Sequence, residues 1–147
     1  MKLRHLVAII VVIAAVASCT QKKATLSEQL TGNWSGTDTI ELTMVDSTGN
    51  TVIQKFSAPI EIEYLADSTF TAIITISETN LVKMGGTATF TDSTALISGS
   101  LSCQKVMDIT GEMSINEDKS MKFTYIAEDT TEGLTHRGTV VVIRIKE

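Results

Sequence analysis

The sequence predicts an all-β fold: an eight-stranded antiparallel up-and-down barrel preceded by a short helical turn. Three observations predict it. Apolar and polar residues alternate with period two almost without interruption from Trp34 onward, the pattern of a sheet with one wet face. Clusters of Asp, Ser, Gly and Asn punctuate this alternation and supply turn chemistry. The strand count is even and the connections are short, so the first and last strands can pair antiparallel and remove both exposed edges.

A short helical turn lies in the segment that starts at Leu26 and leads to Gly32 and Trp34. Strand 36–46 turns Ile40, Leu42 and Met44 inward against Thr39, Glu41 and Thr43, and Asp46 to Asn50 closes the first hairpin. Residues 51–66 contain Pro59, the only proline, without an accompanying Gly or Asn/Asp signal. They read as one long strand bent near Ser57–Pro59, with Ile60, Ile62 and Tyr64 inward. Strand 69–77 contributes Phe70, Ala72, Ile74 and Ile76. Met84-Gly85-Gly86 reads as a turn, which starts the next strand at 86–91 with Ala88 and Phe90 inward. Strand 94–103 directs Ala95, Ile97, Gly99, Leu101 and Cys103 to the core, and 107–115 directs Met107, Ile109, Gly111, Met113 and Ile115. Strand 120–127 offers Met121, Phe123, Tyr125 and Ala127. In the last strand, 137–146, Val141, Ile143 and Ile145 oppose Arg144 and Lys146. Asp-Ser-Thr recurs at 46–48, 67–69 and 92–94 with unequal spacing, which is one local answer to a repeated turn problem rather than an internal repeat.

The N-terminus has its own organisation. Lys2 and Arg4 precede an apolar run from Leu6 to Val16, and small residues follow, as in a secretory signal peptide. The run is about half of the ~20 residues that a spanning helix needs. Val16-Ala17-Ser18-Cys19 at its end resembles the lipobox of bacterial lipoproteins. That resemblance implies a signal peptide over 1–18, lipidation of Cys19, a polar tether over 19–25 and a barrel domain over 26–147. It further implies two or three acyl chains, enough for a stable anchor at ~0.8 kcal/mol per buried methylene. Thr20 follows the cysteine instead of Asp, and no acidic cluster comes next, so the expected location is the outer membrane facing the periplasm. Removing residues 1–18 takes away Lys2 and Arg4 and moves the net charge from −5 to −7. A body this acidic does not bind nucleic acid by phosphate neutralisation. Cys103 is then left without a disulfide partner, and its phase with Ala95, Ile97 and Leu101 predicts a buried thiol.

Gly32 and Trp34, placed after a helical turn and before the first strand, form a Gly-x-Trp motif. With Arg144 in the last strand they resemble the lipocalins, and more closely the small lipocalin-like (calycin-like) lipoproteins of bacterial envelopes. The resemblance implies that Arg144 packs over Trp34. Two features depart from the family: the connection after the first strand is a tight turn, and the second sequence motif is missing.

Enzymatic constellations and cofactor sets are not evident. His136 is the one histidine beyond the signal region, so neither a His-rich zinc site nor a haem site is expected. Beside Arg137 it reads as a solvated residue just ahead of the last strand. Glu61 and Glu63 share the wet face as solvated strand residues. The inward set is more informative. Tyr64, Phe70, Phe90, Met107, Met113, Phe123 and Tyr125 are the candidate ligand-binding residues, with the two tyrosine hydroxyls available to orient a ligand. Methionines adapt to varied apolar shapes, and Gly99 and Gly111 are expected to leave volume unfilled. An eight-stranded barrel either fills with side chains or holds one small ligand, and residue types do not separate the two. The expectations are therefore a small apolar ligand in the barrel, or a filled barrel serving an envelope complex. In the second case a protein partner would contact Leu65, Ile73, Leu96, Val106 and Ile126.

Overall fold

The computed structural model describes residues 23–146. The signal peptide, Cys19 and the start of the tether lie outside the described residues. Helix α1 spans Leu26–Leu30. Thr25 caps it: the hydroxyl accepts from the Glu28 N–H, while Glu28 accepts from the Thr25 N–H, a capping box. The strands are β1 Gly32–Val45, β2 Thr51–Tyr64, β3 Thr69–Ser77, β4 Asn80–Phe90, β5 Ala95–Ser102, β6 Val106–Ile115, β7 Met121–Asp129 and β8 Leu134–Arg144.

Each strand pairs antiparallel with the next, and β1 pairs with β8 from Trp34↔Arg144 to Thr43↔Thr135. The chain is a closed up-and-down barrel. The reason lies in the alternation: each strand has an apolar face to bury, and closure both buries it and satisfies the edge hydrogen bonds. Asp side chains close four of the turns in the same way. Asp46, Asp67, Asp118 and Asp129 each accept from the backbone N–H and the hydroxyl of the Thr or Ser two residues on. The third Asp-Ser-Thr differs, because Thr91 and Thr94 close that turn with each other.

Pro59 stays within a continuous β2, opposite Thr37. Pairing of β2 with β3 begins only at Ile60↔Ile74. The proline thus sits where β2 leaves its second neighbour, a position that tolerates a missing donor. Beyond it, residues 51–59 of β2 and the far end of β3 part company, which opens one end of the barrel.

Four expectations are corrected. Strand β4 starts at Asn80, because the turn is Glu78-Thr79, and Met84 to Gly86 lie inside the strand. Strand β8 runs with the opposite phase: Val140 and Val142 are buried, whereas Val141, Ile143 and Ile145 are exposed. The apolar run offers both phases, and the one that turns Arg144 across Trp34 and His136 into the barrel is adopted. Cys103 is exposed, because β5 ends at Ser102 and the residue belongs to the following turn. Gly99 and Gly111 do not leave space: a Cβ at Gly99 would stand 2.2 Å from the Gly85 carbonyl oxygen, and one at Gly111 2.4 Å from that of Thr124. They allow neighbouring strands to approach closely.

Candidate functional site

The two ends of the barrel differ. One end is closed by α1. Leu30 is buried there, and its carbonyl accepts from the Trp34 indole N–H at 2.7 Å. Arg144 lies over the Trp34 ring with Cζ 4.6 Å from its centroid, and its guanidinium donates to the carbonyls of Thr31 and Gln29. These carbonyls at the end of α1 lack helical partners, so one planar cation both shields the indole and caps the helix. Gly32, with φ of +129°, brings the chain under this guanidinium.

The middle is packed. Phe70 meets Phe123 edge-on with centroids 5.8 Å apart, and Phe123 meets Tyr125 at 5.2 Å. Tyr64, Phe70, Met113 and Phe123 are fully buried in this layer, and Phe90 is half-buried at its edge.

The other end is open. A cavity of about 340 Å³ enters it, lined by Leu42 and Met44 of β1, Phe56 of β2, Val82 of β4, Met107 of β6, and Leu134 and His136 of β8. Cys103, Gln104 and Lys105 form one side of the rim, and Glu132 the other. Lys105 bridges the rim by pairing with both Asp129 and Glu132.

Below the cavity runs a buried polar chain. The Tyr125 hydroxyl donates to Asp38 Oδ2 at 2.6 Å and lies 2.9 Å from His136 Nε2. Asp38 is fully buried and His136 is 5% exposed. Among the described residues Oδ1 of Asp38 has no hydrogen-bond partner, and the Thr139 N–H adds only minor stabilisation to the carboxyl. Burial raises the Asp38 carboxyl to about 6, against the stabilising Tyr125 bond. Burial also lowers His136 to about 4. Tyr125 is pushed up, by burial first and then by the Asp38 charge, so its phenol stays protonated. The arrangement relays hydrogen bonds; it offers no ionised phenol as a nucleophile.

Of the seven residues picked from the sequence, Met107 lines this cavity, and Tyr125 reaches it through His136. The other five pack in the filled layer. Neither tyrosine hydroxyl lines the cavity, and that of Tyr125 is committed to Asp38 and His136. His136 is a buried strand residue, not a solvated one. Asp38 was not among the sequence candidates. Its signal was present: it shares the inward phase of Trp34, Ile40 and Leu42. Glu61 and Glu63 are exposed on β2, as expected. Among the described residues no three His, Cys, Asp or Glu side chains group to hold a metal.

The outward apolar residues expected to meet a partner lie in different settings. Val106 and Leu65 flank turns, and Ile73 sits between Glu61 and Lys83 in register. Leu96 and Ile126 share a shallow depression with Arg137.

No family model matches the sequence, and no curated protein matches it. A solved structure does. The chain is similar to a redesigned β-barrel, at 19% sequence identity and a TM-score of 0.51, over 84% of this chain and 98% of that one. At this identity the likeness shows the barrel fold alone.

Proposed function

We propose that the chain is a lipid-anchored envelope lipoprotein whose barrel holds one small apolar ligand at its open end, in the periplasm. One observation carries the reading: the cavity of about 340 Å³ has mostly apolar walls, with His136 buried at its floor and Asn80, Gln104, Lys105 and Glu132 as its other polar lining residues. Binding sites of about 300 Å³ and above with few polar groups suit small molecules. The lipobox-like Val16-Ala17-Ser18-Cys19 supports the anchor. Lys23 and Ala24 line one depression with Trp34 and Arg144 at the closed end, which puts the start of the described chain at the end opposite the cavity mouth. The outer wall interleaves Glu61, Glu63, Thr71 and Lys83 with exposed Ile73, Val141 and Ile143, whereas a barrel that sits in lipid carries a continuous apolar band.

Native mass spectrometry of protein from its own envelope tests the ligand. A retained small molecule, lost when Leu42→Trp fills the cavity, is the expected result. Retention unchanged by the filling overturns the site, and a co-purifying protein without a small molecule favours the accessory-subunit reading, which the packed middle of the barrel also suits. Cys19→Ser should release the protein from membrane pellets; continued sedimentation removes the anchor.

A further inference from the structure

We infer that the Asp38–Tyr125–His136 chain sets the hydrogen-bond polarity of the cavity floor. The ligand's head group is a hydrogen-bond donor (an alcohol, phenol or amide N–H) while Asp38 is ionised, and an acceptor once Asp38 carries a proton. This deepens the ligand-binding reading above and rests on it.

The number of protons in the chain fixes the direction of each bond. An ionised carboxylate only accepts, so the single Tyr125 hydroxyl proton goes to Asp38 Oδ2, 2.6 Å away. The phenol oxygen then has only lone pairs to offer His136. Nε2, at 2.9 Å, must therefore carry the imidazole proton. A neutral ring has one such proton, which leaves Nδ1 bare. Among the described residues Nδ1 has no hydrogen-bond partner, yet it is not sealed from solvent, and His136 lines the cavity. It is an acceptor waiting for a donor.

Asp38 itself has no exposed surface, so the chain is also the path to it. A proton from cavity water binds His136 Nδ1, the Nε2 proton passes to the Tyr125 oxygen, and the phenol proton passes to Asp38 Oδ2. One proton is taken up and resides on Asp38. Every hydrogen bond in the chain is reversed, and Nδ1–H now donates into the cavity. The ionisable neighbours leave this exchange intact. His136 on β8 stays neutral where Asp38 titrates, and Tyr125 on β7 stays protonated. At the rim, Lys105 is held by Asp129 and Glu132, with Cys103 in the same turn. Glu41 and Arg137 lie on the outer phase of their strands, and Lys55 pairs there with Glu41.

Three probes of matched shape test it by calorimetry on the Cys19→Ser protein, which keeps the barrel and avoids detergent: 1-naphthol, 1-acetylnaphthalene and 1-methylnaphthalene. At about pH 7.5 naphthol should bind about tenfold more tightly than the methyl probe, and the ketone no better than the methyl probe. At about pH 5 the ketone should gain severalfold over the methyl probe. Tyr125→Phe and, independently, Asp38→Asn should remove this pH-dependent change in preference while methylnaphthalene still binds. Equal binding of all three at both pH values overturns the inference and leaves the cavity reading standing. Binding of none removes both. A preference that changes with pH in both variants as it does in the parent overturns the chain as its cause.

Discussion

The ring of Tyr125 occupies the space that a side chain at Gly138 would take. A Cβ on Gly138 would stand 2.0 Å from Cε1, 2.2 Å from Cζ and 2.5 Å from the hydroxyl oxygen. The two residues are direct partners in the β7–β8 register. Because that site is bare, the phenol leans across β8 and reaches Asp38 on β1, and the buried chain exists.

Gly138→Ala should therefore cost more than an ordinary strand substitution. Ring displacement adds overpacking to the loss of a charge-assisted hydrogen bond, about 3 kcal/mol together. Denaturant unfolding measures it. The cost should shrink to well under half in a Tyr125→Ala background, where no ring competes for the space. Additive losses would mean that Gly138 serves strand pairing and not the phenol.

Arg144→Ala should destabilise the barrel by about 1–2 kcal/mol and shift the emission of Trp34, the only tryptophan. The guanidinium is exposed to solvent, so its stacking contributes at the low end, and the bonds to the Thr31 and Gln29 carbonyls supply the remainder. Arg144→Lys should recover only part of the stability, because an ammonium cannot stack as a plane while capping two carbonyls. Full recovery by lysine would show that charge alone matters there.

Cys103 should react with a maleimide within minutes in the folded protein, since it is exposed in the β5–β6 turn. It also borders the cavity mouth, so a bound ligand should slow the reaction. Mass spectrometry of timed samples reads both. A thiol that labels only after denaturant would put β5 one residue longer and Cys103 back in the core.

The eight strands and their closure were legible because most runs offer one apolar phase, and burial then decides the face. Strand β8 was not, because Val140 to Ile143 are apolar in succession and periodicity is silent there. Arg144 held the answer: a residue that covers Trp34 from inside the rim puts Val142 and Val140 inward with it. Extending that phase backward reaches Gly138 and His136. The candidate site was missed for a related reason. Asp38 occupies an inward position, but its partners stand on strands far away in sequence, and only the closure of the barrel brings β1 beside β8. Chemistry that needs three strands in register leaves no local motif.

The opposed titrations of Asp38 and His136 predict an unusual pH profile. Asp38 loses its proton near 3.8 in an unfolded chain but at about 6 in the barrel. Between these values the folded state holds more protons, so stability falls as pH rises. His136 behaves oppositely. Its value drops from 6.5 to about 4 on folding, so between these the unfolded chain holds more protons, and stability rises with pH. Each shift of about two units corresponds to about 3 kcal/mol. Their slopes overlap and offset one another between about pH 4 and 6. Asp38→Asn leaves the histidine alone, and relative to the parent this variant should lose about 2 kcal/mol on acidification from about pH 6.5 to 4. His136→Gln leaves the aspartate alone and should gain a similar amount over the same range. Taking each variant against the parent cancels the surface carboxylates that both retain, including Asp46, Asp67, Asp118 and Asp129, whose values are lowered by their turn hydrogen bonds. Unfolding curves collected at several pH values decide the matter. Variants whose profiles run parallel to the parent would show that neither group changes its proton affinity on folding, and that the buried chain does not titrate.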